Sequence, residues 1–511
     1  MDTFDSGARP FTRLAPLFFA LTLILGFTPV GTANAGDKAP PSMSEGATEV
    51  EHDASVFKAD PTYEDKPYSV EEQLKIYGDK RAIQTPRPLL ELGREIYVPG
   101  PYLQGGTALG ELNPTYNAFA IYGDWKTAVG YNDNGDAEIG QIATQLNLQI
   151  DYQFTGTERL HAFVQPLNQG ADFTRCEFAG DNDEGCEEEL NGNLKTFFFE
   201  GDIGSIWSGF TGEYNDIDLA FAAGLMPLVV QNGVWIDDAW TGVALSVPAL
   251  NSPKLDISNM DFTFFAGFDK VSSKGVLDLG GNVADHNVNV YGLNTFIEAN
   301  GGYWEAGYAY TDGEGKLSDQ SYHNVTAAHT RRFQNWFSNS VRFIWNFGQH
   351  RDGDVRQNAD GFLLLLENSL ITSMPSTLVP YLNLFAGFDR PQSLARDAAL
   401  GGVLKNTGIN FETDNLTGFP KLDDTANNTY GGAIGVEYLF SLDQQIVVEL
   451  ATVQTMGNAG DRVAQGDQYA IGVRYQRPLD KAWIFRTDAM AADRENEENL
   501  LGVRVEIIRK F

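Results

Sequence analysis

The feature that most constrains the fold of this chain is an alternation of apolar and polar residues that recurs from residue 116 to the C-terminus. In the clearest case, Gln145–Phe154, every second residue is apolar and the residues between are Gln, Asn or Asp. Successive side chains of a strand point to opposite faces, so this segment presents one face to hydrocarbon and the other to water. Segments of about ten residues with this pattern are typical of a transmembrane β-barrel. A soluble β-sandwich also alternates, but its strands are usually about 5–6 residues long.

The strand count follows from the turns between these segments. A bacterial barrel begins and ends in the periplasm and therefore has an even number of strands. The clear segments give an odd number, and a weak segment near 317–327 makes it even. We therefore predict an all-β, antiparallel transmembrane barrel of 18 strands, with 16 as the alternative. The predicted strands are 117–131, 143–154, 158–168, 195–207, 217–226, 239–249, 257–270, 287–298, 303–312, 317–327, 335–347, 361–372, 377–388, 429–440, 445–455, 467–477, 481–491 and 500–511.

Composition excludes several other classes of protein. The 511 residues include 69 acidic and 36 basic side chains, giving a net charge of -33, whereas a nucleic-acid binder needs a basic patch. Charged residues at 21% and aromatic residues at 12% argue against a largely disordered chain. Mean hydropathy is -0.26, and no segment after the N-terminal apolar run approaches the about 18 apolar residues of a membrane-spanning helix.

The N-terminus has the pattern of an export signal. Arg9 and Arg13 precede an apolar run, Leu14–Phe27, which is followed by the small-residue cleavage pattern Ala33-Asn34-Ala35. An uncleaved anchor is the alternative, but the run is short for a helix that must span about 20 residues. We predict that residues 1–35 are a cleaved signal peptide and that the exported protein is either soluble or a β-barrel.

Residues 36–115 are predicted to be a disordered leader and periplasmic tether, and residues 116–511 the barrel. The first part of the leader is polar and rich in Pro, Ser, Glu and Asp. Ser69–Tyr77 could form a short helix in which Ser69 is the N-cap of a capping box. The Pro- and Gly-containing segment 85–115 is read as an extended tether, and a plug-like segment is the alternative.

Cys176 and Cys186 lie in a polar segment, so in an oxidising compartment we predict a disulfide that closes a loop, with two free thiols as the alternative. Two cysteines without a nearby His are too few for a zinc site. The six histidines form no metal-binding spacing, and the chain has no haem, P-loop, dinucleotide or G-x-S-x-G motif. We therefore predict no enzyme, no cofactor and no metal, although a lipase could assemble its residues across strands without a local motif.

The polar face of the strands carries the candidate pore-lining residues. Charge on the lipid face would cost about 2–4 kcal/mol for Arg or Lys at mid-membrane, which favours inward placement. Opposed charges in a pore set a transverse field that selects solutes. A charge network that only stiffens the wall is the alternative for any single residue. The candidates are Asp151, Glu305, Arg342, Glu437, Glu449, Arg474, Arg486, Asp488, Arg504 and Glu506.

The lumen of an 18-strand barrel is too wide for wall side chains to fill, so it is either water-filled or plugged. The long connection 389–428 could fold inward and narrow it, and a disordered outer loop is the alternative. The net charge of -33 predicts a preference for cations, because a pore repels co-ions.

The export signal, the alternating strands and the terminal phenylalanine resemble Gram-negative outer-membrane β-barrels of the porin type. Phe511, with Val505 and Ile507 on one face and Gly502 upstream, is similar to the C-terminal signal that the barrel-assembly machinery reads. This resemblance implies a location in the outer membrane of a Gram-negative bacterium and contacts with outer-membrane lipid and lipopolysaccharide. It leaves the oligomeric state open.

The segment from Phe197 to Leu245, with Gly224-Leu-Met-Pro-Leu228 and Trp235-Ile-Asp-Asp238, resembles the alginate-export barrel family. That family implies an arginine-lined pore for a polyanion, which the acidic balance of this chain does not favour. The resulting expectation is a porin for passive diffusion of small polar solutes. The alternatives are a selective export or uptake channel for an oligosaccharide or polysaccharide, and a barrel that sheathes or anchors a secreted partner.

Overall fold

The computed structural model describes most of the predicted barrel and part of the segment before it. The predicted signal peptide 1–35, the leader as far as residue 85 and the predicted helix at Ser69–Tyr77 lie outside the described residues. In the described part of the chain, no helix is long and apolar enough to cross a membrane. The described ranges are 86–93, 105–170, 172–181, 185–353, 355–412, 416–440 and 444–511.

The described residues form strands, one short α-helix and several 3-10 turns. The helix, α1, is Ile203–Thr211, and the 3-10 turns are Pro253–Leu255, Gly315–Gln320, Ala398–Leu400, Ile409–Phe411 and Ala459–Asp461. The strands are β1 Leu90–Gly93, β2 Ala118–Asp133, β3 Glu138–Gln153, β4 Arg159–Val164, β5 Asn168–Gln169, β6 Asp172–Gly180, β7 Gly185–Glu187, β8 Leu194–Asp202, β9 Ala220–Val230, β10 Ile236–Ser252, β11 Ile257–Asp269, β12 Val288–Ala299, β13 Gly302–Gly313, β14 Tyr322–Phe333, β15 Phe337–Phe347, β16 Phe362–Leu370, β17 Leu378–Phe388, β18 Ala395–Arg396, β19 Thr429–Phe440, β20 Gln444–Thr455, β21 Gln468–Pro478, β22 Trp483–Arg494 and β23 Leu500–Lys510.

The wall is a closed antiparallel barrel of 18 strands within the described ranges, as the alternation predicts. Neighbouring wall strands are consecutive in the chain, and the ring closes where β2 pairs with β23, with Val129 opposite Val505. The weak segment predicted at 317–327 is indeed a wall strand, displaced to Tyr322–Phe333. Tight hairpins, which antiparallel neighbours permit, join most strands on the side of the chain termini.

The third wall strand is interrupted, and here the predicted bounds are wrong. The sequence predicts one strand at 158–168 and an outer connection after it, whereas β4 and β6 both pair with β3 and share one place in the wall. Residues 165–170 leave the wall between them. Pro166 lacks a backbone donor and suits such a break, which hides the continuity of the strand from the alternation.

A helix replaces the end of a predicted strand on the periplasmic side. The strand predicted at 195–207 stops at Asp202, whose carboxylate accepts a hydrogen bond from the Ser205 amide at 2.6 Å and caps α1. The helix ends at Gly212, which has φ +70° and takes the left-handed conformation that favours glycine. The apolar residues of this segment fit the spacing of a strand and also that of a helix. The cap at Asp202 favours the helix.

The two ends of the described barrel chain meet at the seam. β23 covers the edge of β2 down to Asp124, and the backbone of Phe511 exchanges hydrogen bonds with that of Gly123. β1 then pairs with the remaining edge, with Leu92 opposite Phe119. A strand from before residue 116 therefore belongs to the same sheet as the wall.

Candidate functional site in the barrel lumen

The strands place the predicted charged residues on the inner face of the wall. On β23, Leu501, Val503 and Val505 are about half exposed to the outside. Arg504 and Glu506, at the alternate positions, are at most 2% exposed. The same parity holds on the other strands that carry predicted site residues, because pleated strands alternate their side chains. An outer face of exposed apolar residues around a charged interior is the arrangement of a barrel in a membrane.

Three arginines of consecutive strands converge on one aspartate, and we call this group the basic arc. Asp488 of β22 lies 2.6 Å from Nε of Arg474, 3.2 Å from Nε of Arg486 and 2.8 Å from Nη2 of Arg504. Glu412 also pairs with Arg474 at 2.8 Å. Glu506 of β23 lies opposite Arg486, so three carboxylates in all accompany the three guanidinium groups.

A cluster of acidic side chains lies on another part of the lumen, and we call it the acidic arc. It consists of Asp237 and Asp238 on β10, Asp285 before β12 and Asp397 in the long loop 389–428. The carboxylate of Asp238 accepts a hydrogen bond from the Ser272 amide at 2.7 Å. The amide of Asp397 donates to the carbonyl of Asp237 at 3.2 Å, which holds the loop against β10.

Both arcs line one central cavity of about 780 Å³. Seven basic and five acidic side chains line it, so the cavity does not share the acidic excess of the whole chain. The two arcs belong to distant parts of the ring, β10 and β21–β23, and therefore face each other across the cavity. The charged lining residues are Lys126, Lys195, Lys270, Lys405, Arg474, Arg486 and Arg504 together with Asp237, Asp238, Asp285, Asp397 and Glu412.

The long loop 389–428 folds into the lumen, as its length suggested. The carboxylate of Glu449 on β20 accepts hydrogen bonds from the amides of Ile409 at 3.0 Å and Asn410 at 2.9 Å, and from the Tyr381 hydroxyl at 2.5 Å. Glu449 is fully buried by these contacts. A buried carboxylate is stable when its oxygens are hydrogen-bonded in this way, so Glu449 fastens the loop to the wall.

The loop is held on other sides of the lumen as well. The Asn132 side chain on β2 donates to the carbonyl of Thr417 at 2.7 Å, and Arg474 pairs with Glu412 at 2.8 Å. The Arg504 guanidinium lies 5.0 Å from the ring centre of Phe419. The loop thus crosses the lumen between β10 and the basic arc and narrows the passage.

A second inward element is the turn between β9 and β10. Trp235 is fully buried and its Nε1 donates to Oδ1 of Asn324 on β14 at 2.8 Å. Gln231 in the same turn accepts from Arg342 at 2.9 Å and from Thr326 at 2.8 Å. This turn, the loop 389–428 and the residues around Val276 form an apolar core inside one side of the barrel.

The remaining predicted residues are distributed around the wall rather than gathered in one place. Arg342 lies 3.2 Å from Glu367 and 4.0 Å from Glu305. Glu437 accepts from the side chain of Gln445 at 2.6 Å. Asp151 accepts from the Tyr122 hydroxyl at 2.6 Å and lies 2.7 Å from Nδ1 of His161, and Glu506 is buried on β23.

Titratable groups in the lumen loops have pKa values displaced from their ordinary range. Burial lowers the pKa of Lys405 and of Lys274, whose ammonium donates to the carbonyl of Gly401 at 2.8 Å. Burial raises the pKa of Asp423. At the outer rim, the hydrogen bond to Asp269 raises the pKa of His286.

A second cavity, of about 790 Å³, lies at the periplasmic end of the lumen, and we call it the vestibule. Its charged lining within the described residues is acidic: Glu200, Asp202, Asp216 and Asp218.

The cysteines form the predicted disulfide. Cys176 on β6 lies opposite Cys186 on β7, and the bond closes an outer hairpin. The predicted assembly-signal residues lie at the seam, where Val505 and Ile507 point outward and Gly502 packs against Phe419 of the inward loop.

Sequence reasoning found the basic arc and missed the acidic one. Strand parity identifies inward residues only inside regular strands, and Asp285 and Asp397 reach the cavity through loops that have no periodicity. Trp235 was also missed as an interior residue, although it lies two residues after the Asn-Gly turn signal at 232–233.

Comparison with known proteins gives likeness in structure alone. No protein-family model and no curated protein matches the chain. OpdK of Pseudomonas aeruginosa, crystallised with vanillate, has a TM-score of 0.50 at 12% identity and covers 76% of this chain and 98% of its own. OccK5 (OpdH) of Pseudomonas aeruginosa has a TM-score of 0.49 at 12% identity, covering 77% and 98%. OccAB4 of Acinetobacter baumannii has a TM-score of 0.47 at 11% identity, covering 77% and 97%.

The likeness to OpdK is a likeness of fold. It agrees with the ring closure, the exposed apolar outer face and the charged interior described above. The chain therefore has the fold of the Gram-negative outer-membrane β-barrel porins, which places it in the outer membrane.

Proposed function

We propose that the protein is an outer-membrane channel through which small polar solutes diffuse, with a preference for cations at its mouths and charge-dependent selection in the central cavity. The observation that carries the proposal is the cavity of about 780 Å³ between the basic arc and the acidic arc. Charges of opposite sign on facing walls produce a field across the passage. A solute that carries a carboxylate, or both a carboxylate and an ammonium group, would align in that field.

The acidic vestibule supports the preference for cations. A pore mouth lined by one sign of charge concentrates counter-ions and repels co-ions. The net charge of -33 acts in the same direction at both mouths. The central cavity has both basic and acidic side chains, seven and five respectively, which supports a finer selection there by the arrangement of charge on the solute.

The predicted wall residues enter the proposal in two groups. Arg474, Arg486 and Arg504 act on solutes directly, because they line the central cavity. Asp488 orients these three arginines. The other predicted residues set the field from the wall: Asp151, Glu305, Arg342, Glu437, Glu449 and Glu506.

Export and assembly are part of the same proposal. Residues 1–35 would act as the cleaved signal peptide, and residues 36–115 as the periplasmic leader. Gly502, Val505, Ile507 and Phe511 would be read by the barrel-assembly machinery. Membrane lipid and lipopolysaccharide would surround the outward apolar residues.

Conductance of the refolded protein in a planar bilayer under a KCl gradient tests the channel itself. We expect steady current steps with a cation-selective reversal potential. Protein that is β-rich and heat-modifiable but does not conduct would contradict the channel and favour a barrel filled by a partner.

Entry of solutes into proteoliposomes tests the selection. The panel pairs a neutral sugar with vanillate and with lysine. Arg486→Gln should slow vanillate several-fold relative to the sugar, because a point charge facing the passage is lost. Arg477→Gln is the matched control, because Arg477 lies at the periplasmic end of the same strand as Arg474. This variant should slow none of the three solutes. Equal slowing of all three solutes by Arg486→Gln would contradict charge selection in this cavity.

The acidic arc is tested in the opposite direction. Asp285→Asn should lower the ratio of cation to anion permeability, whereas Asp256→Asn, in the turn before β11, should leave it unchanged. An unchanged reversal potential in Asp285→Asn would remove the acidic arc from the proposal.

A further inference from the structure

Helix α1 has an apolar stripe that the described residues leave uncovered. Ile203, Ile206, Trp207 and Phe210 are spaced three, four and seven residues from the first, which puts them on one side of a helix. Trp207 is 61% exposed and Phe210 is 75% exposed. None of the nine residues of the helix is charged.

The opposite side of α1 fixes its orientation. Gly204, Ser208 and Gly209 are buried. The Asn215 side chain donates to the carbonyl of Gly204 at 2.9 Å and to the Ser208 hydroxyl at 2.6 Å. A side chain at position 209 would collide with the carbonyl of Leu109, so the helix packs closely on that segment. The helix therefore cannot turn its apolar stripe inward without breaking these contacts.

The stripe continues the lipid-facing side of the strand that precedes it. On β8, Phe197 is 46% exposed and points outward, whereas Phe198 is 9% exposed and points inward. Phe199 shares the outward side, and its ring centre lies 6.2 Å from that of Phe154 and 5.8 Å from that of Phe221. Ile203 continues this outward-facing set, in which every second residue points to the outside.

This aromatic cluster joins the periplasmic ends of β8 and its neighbour β9 to the residue that follows β3, on the far side of β4. Aromatic residues gather at the two membrane–water interfaces of outer-membrane barrels. α1 starts where the lipid-facing surface of the barrel ends, and its stripe points to the same side.

We propose that α1 is an interfacial helix whose stripe Ile203–Phe210 lies in the headgroup region of the periplasmic leaflet and binds phospholipid. A short apolar stripe with Trp and Phe suits this depth, since an indole places its apolar body in the acyl boundary and its N–H in the wet layer. Phospholipid is the occupant because the stripe adjoins a surface that already contacts lipid.

The proposal has a consequence for the vestibule. Gly204, Ser205 and Ser208 line it from the other side of α1. One helix therefore contacts bilayer on one side and the passage on the other, so the bilayer helps to hold the periplasmic mouth in shape.

Spin labels test the position of the stripe. In the full chain with Cys176→Ser and Cys186→Ser, Trp207→Cys and Phe210→Cys are labelled singly and reconstituted in phospholipid vesicles. Phe199→Cys is the lipid-facing control and Asp218→Cys is the aqueous control. For labels at 207 and 210, dissolved oxygen should enhance spin relaxation more than a water-soluble nickel complex does. The label at 199 should behave in the same way. Nickel accessibility equal to that at 218 would overturn the proposal and leave the stripe open to water or to a periplasmic protein.

Tryptophan quenching tests it without a label. Vesicles with bromine near the headgroup end of the acyl chains quench indoles at that depth. Wild-type protein should lose a larger share of its emission than Trp207→Phe, which keeps the apolar stripe and the fold. Equal fractional quenching of the two proteins would place Trp207 outside the bilayer and would contradict the proposal.

Discussion

The carboxylate of Glu449 on β20 accepts a hydrogen bond from the backbone amide of Asn410 at 2.9 Å, which joins the wall to the loop inside the lumen. The Asn410 side chain donates to the same oxygen at 2.8 Å. Both residues are buried, so neither the carboxylate nor the amides have water as an alternative partner. The width of the passage therefore depends on how firmly this contact holds.

Glu449→Ala should release the loop. The change leaves buried donors without an acceptor, at about 1–3 kcal/mol each. We expect larger and noisier single-channel current in planar bilayers. Glu449→Gln keeps one acceptor oxygen. Its single-channel current should be intermediate between those of Glu449→Ala and wild type. Current identical to wild type in Glu449→Ala would mean that the loop is held by its other contacts.

Trp235→Ala should destabilise the apolar core inside the barrel. Truncating a buried tryptophan typically costs about 3–5 kcal/mol in free energy of unfolding. Trp235→Phe retains most of the apolar volume and loses the hydrogen bond to Asn324, so its loss should be smaller. Urea titration of the protein in vesicles measures both. Equal stability of Trp235→Ala and wild type would show that the inner core does not stabilise the wall.

His286 should make the outer mouth sensitive to pH. The hydrogen bond to Asp269 and the charge of Asp285 raise its pKa above the ordinary value of about 6.5, while Lys270 acts in the opposite direction. The ion pair is therefore fully formed below about pH 6.5 and is lost as pH rises through the raised pKa.

Protonated His286 adds positive charge beside the acidic arc, so the cation preference should fall on acidification through this range. His286→Asn should flatten that part of the profile, measured as reversal potential against pH. A profile that is the same in both proteins would assign the pH dependence to other groups.

The disulfide should protect the outer hairpin of β6 and β7. Closing a loop of this size is worth about 2–4 kcal/mol, felt here as local order of the hairpin. Protease added outside vesicles should cut Cys176→Ser/Cys186→Ser near the hairpin tip and should spare oxidised wild type. Wild type treated with reductant should be cut like the variant. Resistance of the reduced protein would show that strand pairing alone protects the hairpin.

The alternation of side chains was sufficient to predict most of the wall, for a physical reason. In β3, lipid on one side and water on the other impose period two on nearly every residue, so Gln145–Phe154 reads as a strand without further information. The third wall strand breaks at Pro166, and there the same reasoning placed the bounds wrongly.

The lumen was predictable only in part. Arg474, Arg504 and Asp488 lie in regular strands, so their parity gave their direction. Asp397 reaches the cavity because its amide binds the carbonyl of Asp237, a contact between residues far apart in the chain. Such contacts are set by the path of the loop, which no local period encodes.

The seam between β2 and β23 has a consequence for the order of assembly. The same edge of β2 is paired with two segments. One ends at Phe511, and the other is β1, which precedes the wall in the chain. That edge can be completed only after the C-terminal strand has been delivered, because antiparallel pairing needs the whole of β23 in place. Closure is therefore the final step of biogenesis, and a chain that lacks its last strand would remain an open sheet with an exposed edge.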